Sequence, residues 1–182
     1  MAFGDASGEQ TQAERLEIAR RYRERRGEEL RAQAAGAIDG EVLAAGEFST
    51  VPTEAIASIP GLGMLLLPLA RRRSRKSGLS PKVLMAITAD RVHALAVDAA
   101  GLRRDETAIG PGRSWPRDRV SCVRGGRAFM RDKVLLHVPD ATEPLTLYAP
   151  SLRTNPWSAE VVRMLGGEAP EPIDLGDRAA AG

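Results

Sequence analysis

The stretch PKVLMAITADRVHALAVD places two runs dense in Val, Ile, Leu and Thr, Lys82–Ala89 and Arg91–Asp98, almost back to back. Only Asp90-Arg91 stands where a reversal is needed. Asp is a common turn residue, so the pair reads as strand, tight turn, strand. Shorter runs of the same kind surround it. Val42, Leu43 and Phe48 mark a strand in EVLAAGEFST. Thr107–Ile109, Arg119–Val123, Ala128–Met130, Val134–Val138 and Leu145–Tyr148 follow. They are separated by turn signals at Gly110-Pro111-Gly112, Gly125-Gly126, Arg131-Asp132 and Pro139-Asp140. Val134, Leu136 and Val138 alternate with Leu135 and His137, the pattern of a sheet with one packed face. Many short strands at this spacing predict a mainly β chain, an antiparallel sandwich or small barrel. With aromatics at only 4% of residues, its core must be aliphatic.

A helix is predicted at each end. Thr11 and Glu14 form a capping box, and the sequence stays helix-permissive to about Ala35, with Glu17 and Arg21 in the favourable i,i+4 order. Leu16, Ala19, Tyr22 and Leu30 give only a thin apolar stripe, so residues 1–40 read as a charged helical extension that docks weakly or joins a partner helix. Gly27 is a candidate break. At the other end Asn155 suits an N-cap and Pro156 the first helical position, and Gly166-Gly167 stops the helix. Trp157, Val161 and Leu165 fall on one face, so Trp157 is expected to be buried with them against the sheet. Trp115, beside Pro116 at a strand entry, is expected to be partly exposed. The Pro-rich acidic residues 168–182 are expected to be disordered.

This order of elements, with three short stretches, resembles the bacterial pleckstrin-homology-like and GRAM-type domains. The stretches are VLMAITADRVHAL (Val83–Leu95), SWPRDRVSCV (Ser114–Val123) and NPWSAEVVRML (Asn155–Leu165). The resemblance covers residues 41–167. It implies a bent antiparallel sandwich or barrel of seven strands whose C-terminal helix plugs one end. It also implies that the loop between the first two strands meets a lipid headgroup. In this chain that loop, residues 49–80, is lengthened and lacks the lysine and arginine spacing of a phosphoinositide motif. Generic contact with anionic lipid is therefore what the resemblance implies.

Charge independently singles out the same loop. Residues 1–70 carry a net −4, residues 71–131 a net +10 and residues 132–182 a net −4. The positive middle is drawn to anionic partners. Inside the loop, residues 55–70 contain no charge, and Arg71, Arg72, Arg73, Arg75 and Lys76 follow at once. The uncharged run is shorter than the ~20 residues a membrane-spanning helix needs, and Pro60, Gly61, Gly63 and Pro68 interrupt it. A single crossing would also put the first strand across the membrane from the others. The run must dip into one leaflet and return, or pack on the protein as core.

No catalytic constellation stands out. His93 and His137 lie in predicted strands, and Cys122 reads as a small apolar filler. No His, Cys and Asp cluster has zinc-site spacing. Leu66 stands where a third glycine would complete Gly61-x-Gly63 as a dinucleotide fingerprint. Gly110–Ser114 reads as a turn rather than a nucleophile elbow. The basic run could meet nucleic-acid phosphates, but no recognition helix or stacking motif accompanies it. A single cysteine excludes an internal disulfide framework, and the first residues lack a signal-peptide pattern, so a cytoplasmic protein is expected.

The sequence thus predicts a non-enzymatic, cofactor-free and metal-free peripheral membrane module. Met64, Leu65, Leu66, Leu67 and Leu69 would enter the interface, and Arg71, Arg72, Arg73, Arg75 and Lys76 would meet anionic headgroups. The alternative is a protein-interaction module, partnered through the N-terminal helix, whose apolar run is packed core.

Overall fold

The computed structural model describes residues 12–51, 77–97, 109–128 and 131–170. They form helix α1 (Gln12–Ala35) and strands β1 (Ala44–Ser49), β2 (Lys82–Ile87), β3 (Arg91–Val97) and β4 (Ile109–Pro116). A 3-10 turn (Arg117–Arg119) leads to β5 (Ser121–Ala128), β6 (Arg131–His137), β7 (Leu145–Ala149) and helix α2 (Pro156–Met164). The strands make one antiparallel sheet in the order β4-β3-β2-β1-β7-β6-β5. The chain is therefore mainly β with a charged N-terminal helix and a C-terminal helix, as the sequence predicts.

The sheet is strongly bent but does not close into a barrel, since β4 and β5 are its edges among the described residues. Trp115 on β4 donates its indole N–H to Asp140, in the turn between β6 and β7, at 2.8 Å. In a flat sheet β4 and β7 would lie four strand spacings apart, about 19 Å. The bend brings both halves round one core, with Val83, Met85, Val92, Trp115, Val134 and Leu147 in a single cluster.

The β2–β3 reversal forms where Asp90-Arg91 predicts it. Thr88 Oγ1 donates to Asp90 Oδ1 at 2.9 Å and accepts the Arg91 amide at 3.1 Å. Three other turn assignments are corrected. Arg131-Asp132 lies inside β6. Gly110-Pro111-Gly112 lies inside β4, and Gly125-Gly126 lies inside β5. Each glycine cluster sits at a shift in strand register, between Ala94 and Ala96 for the first and between Arg124 and Arg127 for the second. At Gly112 a Cβ would fall 1.8 Å from the Ala94 carbonyl oxygen, so glycine there permits close strand approach rather than a reversal. At Gly126 the need is conformational, with φ at 90°.

Both helices pack on the β1 region, and they touch each other. β1 and β7 share only the pair Ser49↔Tyr148, and α2 packs chiefly on β1 beside this short junction. Ala159, Val161, Val162 and Leu165 enter the main core. Gly46 makes this possible, because a Cβ there would lie 2.8 Å from Ser158 Cα. Trp157 departs from the expected stripe. It is buried, but among Leu30, Ala34, Ala45, Leu84, Ala86 and Leu95, in a second cluster under α1. The docking of α1 supplies that layer. Leu30 and Ala34 are fully buried, Arg26 pairs with Glu47, and Arg31 reaches Glu160 at 3.4 Å. Helix α1 is continuous through Gly27, and the predicted Glu17–Arg21 pair forms at 2.9 Å. Trp115 is fully buried rather than partly exposed, because the bend folds the second half of the sheet over it.

Candidate functional site

The residues predicted to meet lipid, Met64 through Lys76, lie outside the described residues. Their two anchor points are described. Ser49 pairs with Lys82, the Thr50 amide donates to the Pro81 carbonyl at 3.0 Å, and Thr50 Oγ1 donates to the Ser80 carbonyl at 3.3 Å. The chain therefore leaves the sheet after β1 and rejoins it before β2 at one place. Val51 and Leu79, beside these anchors, are both buried. The register of β3 with β4 puts Val97 opposite Ile109, so β3 ends and β4 begins at the same end of the sheet.

A cleft of about 560 Å³ opens beside these anchors, lined by Thr50, Ser77, Arg113, Asp140, Glu143 and Tyr148, among others. Its centre is a side-chain cluster that sequence reasoning missed. Arg113 Nη1 donates to the Ser77 carbonyl at 2.9 Å, Arg113 Nη2 pairs with Asp140, and the guanidinium lies 5.2 Å from the centroid of the Trp115 ring. Burial works to raise the Asp140 carboxyl, but the hydrogen bonds from Trp115 and Arg113 and the nearby guanidinium charge outweigh it. The carboxyl is held below its usual range. A depressed carboxylate supports the fold above its unfolded value and stops doing so as the pH falls through the lowered one. The cluster thus ties three separate pieces of chain together at neutral pH: the return of the long loop, β4, and the β6–β7 turn. No spacing could have signalled it, because Ser77, Arg113 and Asp140 belong to three distant segments.

The groups read as poor candidates for catalysis are placed as follows. Cys122 is buried on β5, its Sγ donating to the Val162 carbonyl at 3.2 Å. Burial pushes the thiol up to about 11, only partly opposed by a hydrogen bond from the Gly167 amide. His93 on β3 is held low by burial and by the Arg91 charge against the opposing pull of Asp90, and it stays neutral at physiological pH. His137 is exposed at the end of β6. Among the described residues no group of three His, Cys, Asp or Glu could hold a metal ion, and no helix is long and apolar enough to cross a membrane.

The Cys122 environment predicts a reactivity pattern. The thiolate is the reactive form, so a thiol probe at pH 8 should label Cys122 only as fast as the protein unfolds. In denaturant it should label at once. Stoichiometric labelling of the native protein within seconds would show the thiol to be accessible.

Comparison with protein-family models, with curated proteins and with solved structures finds no match for this chain.

Proposed function

We propose that this chain is a non-enzymatic module, built on a pleckstrin-homology-like scaffold, that associates with anionic lipid at the cytoplasmic face of a membrane. The contact is the apolar run Met64, Leu65, Leu66, Leu67 and Leu69 followed by Arg71, Arg72, Arg73, Arg75 and Lys76. The observation that carries this reading is the closure of the loop at its base. Thr50 is hydrogen-bonded to both Ser80 and Pro81, so a single membrane crossing between residues 51 and 77 is sterically impossible. An apolar-then-basic segment anchored in this way can meet a membrane from one side only.

Each basic residue near an anionic surface contributes about 1 kcal/mol, and each fully buried leucine about 1.5–3 kcal/mol. Neither half is strong alone, and together they suffice for reversible binding. Support for a non-enzymatic role comes from the chemistry of the available groups, since the Cys122 thiol is protonated and bonded to a backbone carbonyl.

A second reading has one observation in its favour. Val51 and Leu79 are buried, so the apolar run could continue inward from them as core. Co-sedimentation with vesicles, combined with thermal melting, separates the two. Changing Arg71, Arg72, Arg73, Arg75 and Lys76 to Gln should leave the melting temperature unchanged and abolish salt-sensitive binding to anionic vesicles. Changing Leu65, Leu66 and Leu67 to Ser should weaken binding even at high salt, with the melting temperature again near wild type. A collapse of the melting temperature in the Ser variant would establish packed core instead. Equal binding of the wild type to neutral and anionic vesicles would rule out the lipid reading.

A further inference from the structure

We propose that the cleft beside the loop anchors binds a neutral, hydroxyl-rich group, a single sugar ring, through Tyr148 and Thr146 of β7 and Thr142 and Glu143 of the β6–β7 turn. At about 560 Å³ the cleft falls within the ~300–1,000 Å³ of small-ligand sites.

Its charge argues against an anion. Arg113 is the only cation among the described lining residues, and it is committed to the Ser77 carbonyl and to Asp140. Glu143 adds a second carboxylate, exposed and paired with no described residue. One guanidinium thus stands against two carboxylates, a balance that repels a phosphate. An apolar ligand fits no better, because hydroxyl-bearing residues outnumber Ala141, Pro144 and Leu145 along the lining.

What remains is hydrogen-bonding capacity. Leu145, Leu147 and Ala149 of β7 belong to the main core, so Thr146 and Tyr148 stand on the other face of the strand. The two positions are about 7 Å apart along it. Tyr148 is only 6% exposed, yet its phenol makes no hydrogen bond to a described residue and is not sealed from solvent. A phenol at the end of a buried ring normally finds a partner. Here it keeps a donor and an acceptor for whatever enters the cleft it lines. The hydroxyls of Thr142 and Thr146 are likewise uncommitted among the described residues. A phenol, two hydroxyls and a carboxylate offer donors and acceptors together. An ammonium ligand would use only the acceptors and a phosphate chiefly the donors, whereas each hydroxyl of a sugar both donates and accepts. Pro144 and Leu145 supply apolar surface for the carbon face of the ring.

Such a ring comes either as a free sugar or as the headgroup of a neutral glycolipid. The cleft adjoins Thr50 and Ser77, where the apolar-basic loop leaves and rejoins the sheet, so a lipid-borne sugar would enter it while the loop meets the bilayer. That source rests on the membrane reading proposed above, and the sugar site itself does not.

The test titrates methyl glycosides of the common hexoses into the full chain. It follows the two tryptophan indole N–H signals in a ¹H–¹⁵N spectrum, assigned with Trp157→Phe. Trp115 donates its N–H to Asp140, which lines the cleft, and Trp157 lies in the second cluster under α1. At least one glycoside should move the Trp115 signal saturably and leave Trp157 in place. Tyr148→Phe and Thr146→Val should each weaken that binding about tenfold. Tyr148→Phe should leave the melting temperature unchanged, because the hydroxyl it removes holds no described residue, so a loss of binding there is not a loss of fold. No saturable shift with any glycoside would overturn the proposal, as would full affinity in Tyr148→Phe. So would a Trp115 response to inorganic phosphate or ethanolamine in place of the glycosides, since charge would then select the ligand. Vesicles separate the two sources. Greater retention by phosphatidylcholine vesicles containing a monohexosyl diacylglycerol than by phosphatidylcholine alone identifies the lipid-borne sugar. Equal retention, with soluble glycosides still bound, identifies the free one. Failure of the wild type to prefer anionic vesicles would overturn the loop reading and leave the glycoside titration standing.

Discussion

Trp157→Ala should destabilise the protein by about 3 kcal/mol and lower its melting temperature by roughly 10 °C. Truncating a buried tryptophan costs ~3–5 kcal/mol, through lost burial and the cavity left behind. The lower end applies because the change also removes a buried indole N–H that has no partner among the described residues. Against a typical total of 5–15 kcal/mol this is a large share. The damage should also be located. Trp157 fills the space between α1 and the outer face of β1, β2 and β3, touching the layer of Leu30, Ala34, Leu84 and Leu95. Hydrogen exchange should therefore accelerate in α1 well before it does in β5 and β6. Trp157→Phe should recover most of the loss. A Trp157→Ala protein that melts within a few degrees of wild type, with α1 still protected, would show that the second cluster contributes little.

That second cluster marks where the sequence stopped being legible. Strand alternation and the Thr88–Arg91 turn are local properties, and β2, β3, β6 and β7 form within a few residues of where the pattern places them. α2 is equally local, begun by Pro156 and ended at Gly166-Gly167. The docking of α1 is not local. Its apolar stripe is thin, and only its final turns, around Leu30 and Ala34, meet the sheet, so periodicity over the whole helix understates the contact. Once α1 is docked, the surroundings of Trp157 change from the main core to a layer that no spacing within Asn155–Leu165 could announce.

Glycine misled for a related reason. Gly110, Gly112, Gly125 and Gly126 have the composition of turns, but they serve irregular strand pairing, where the partner strand determines what fits. The cleft cluster of Ser77, Arg113, Trp115 and Asp140 was beyond reach because it depends on the bend of the sheet. The apolar-basic loop was the clearest functional signal in the sequence, and what the fold adds is its closure at Thr50, Ser80 and Pro81.

Asp132 is the residue whose role the sequence disguised most, since Arg131-Asp132 has the composition of a turn. It lies instead within β6, 1% exposed, as a buried carboxylate. One oxygen accepts from Arg124 Nη2 at 2.8 Å and the other from the Leu152 amide at 2.7 Å, with Arg127 Nε at 3.9 Å from the first. Asp132 thereby joins the β5–β6 hairpin to the connection between β7 and α2. Asp132→Ala should cost about 3 kcal/mol, because removing one partner of a buried pair strands the others at a cost of ~3–5 kcal/mol. The lower figure follows from Arg124, whose side chain is 33% exposed and can be partly satisfied by water, whereas the backbone at fully buried Leu152 has no such recourse. Asp132→Asn, which can still accept from the Leu152 amide, should lose about half as much. In a denaturant titration the Ala variant should lower the midpoint with an unchanged slope. Adding Arg124→Met to Asp132→Ala should recover part of the loss, since the unpaired guanidinium is then gone and the two effects fall short of additive. A midpoint in the Ala variant corresponding to less than about 1 kcal/mol would mean that water replaces the carboxylate at Leu152. The hairpin would then be held to the rest of the fold by its apolar face alone.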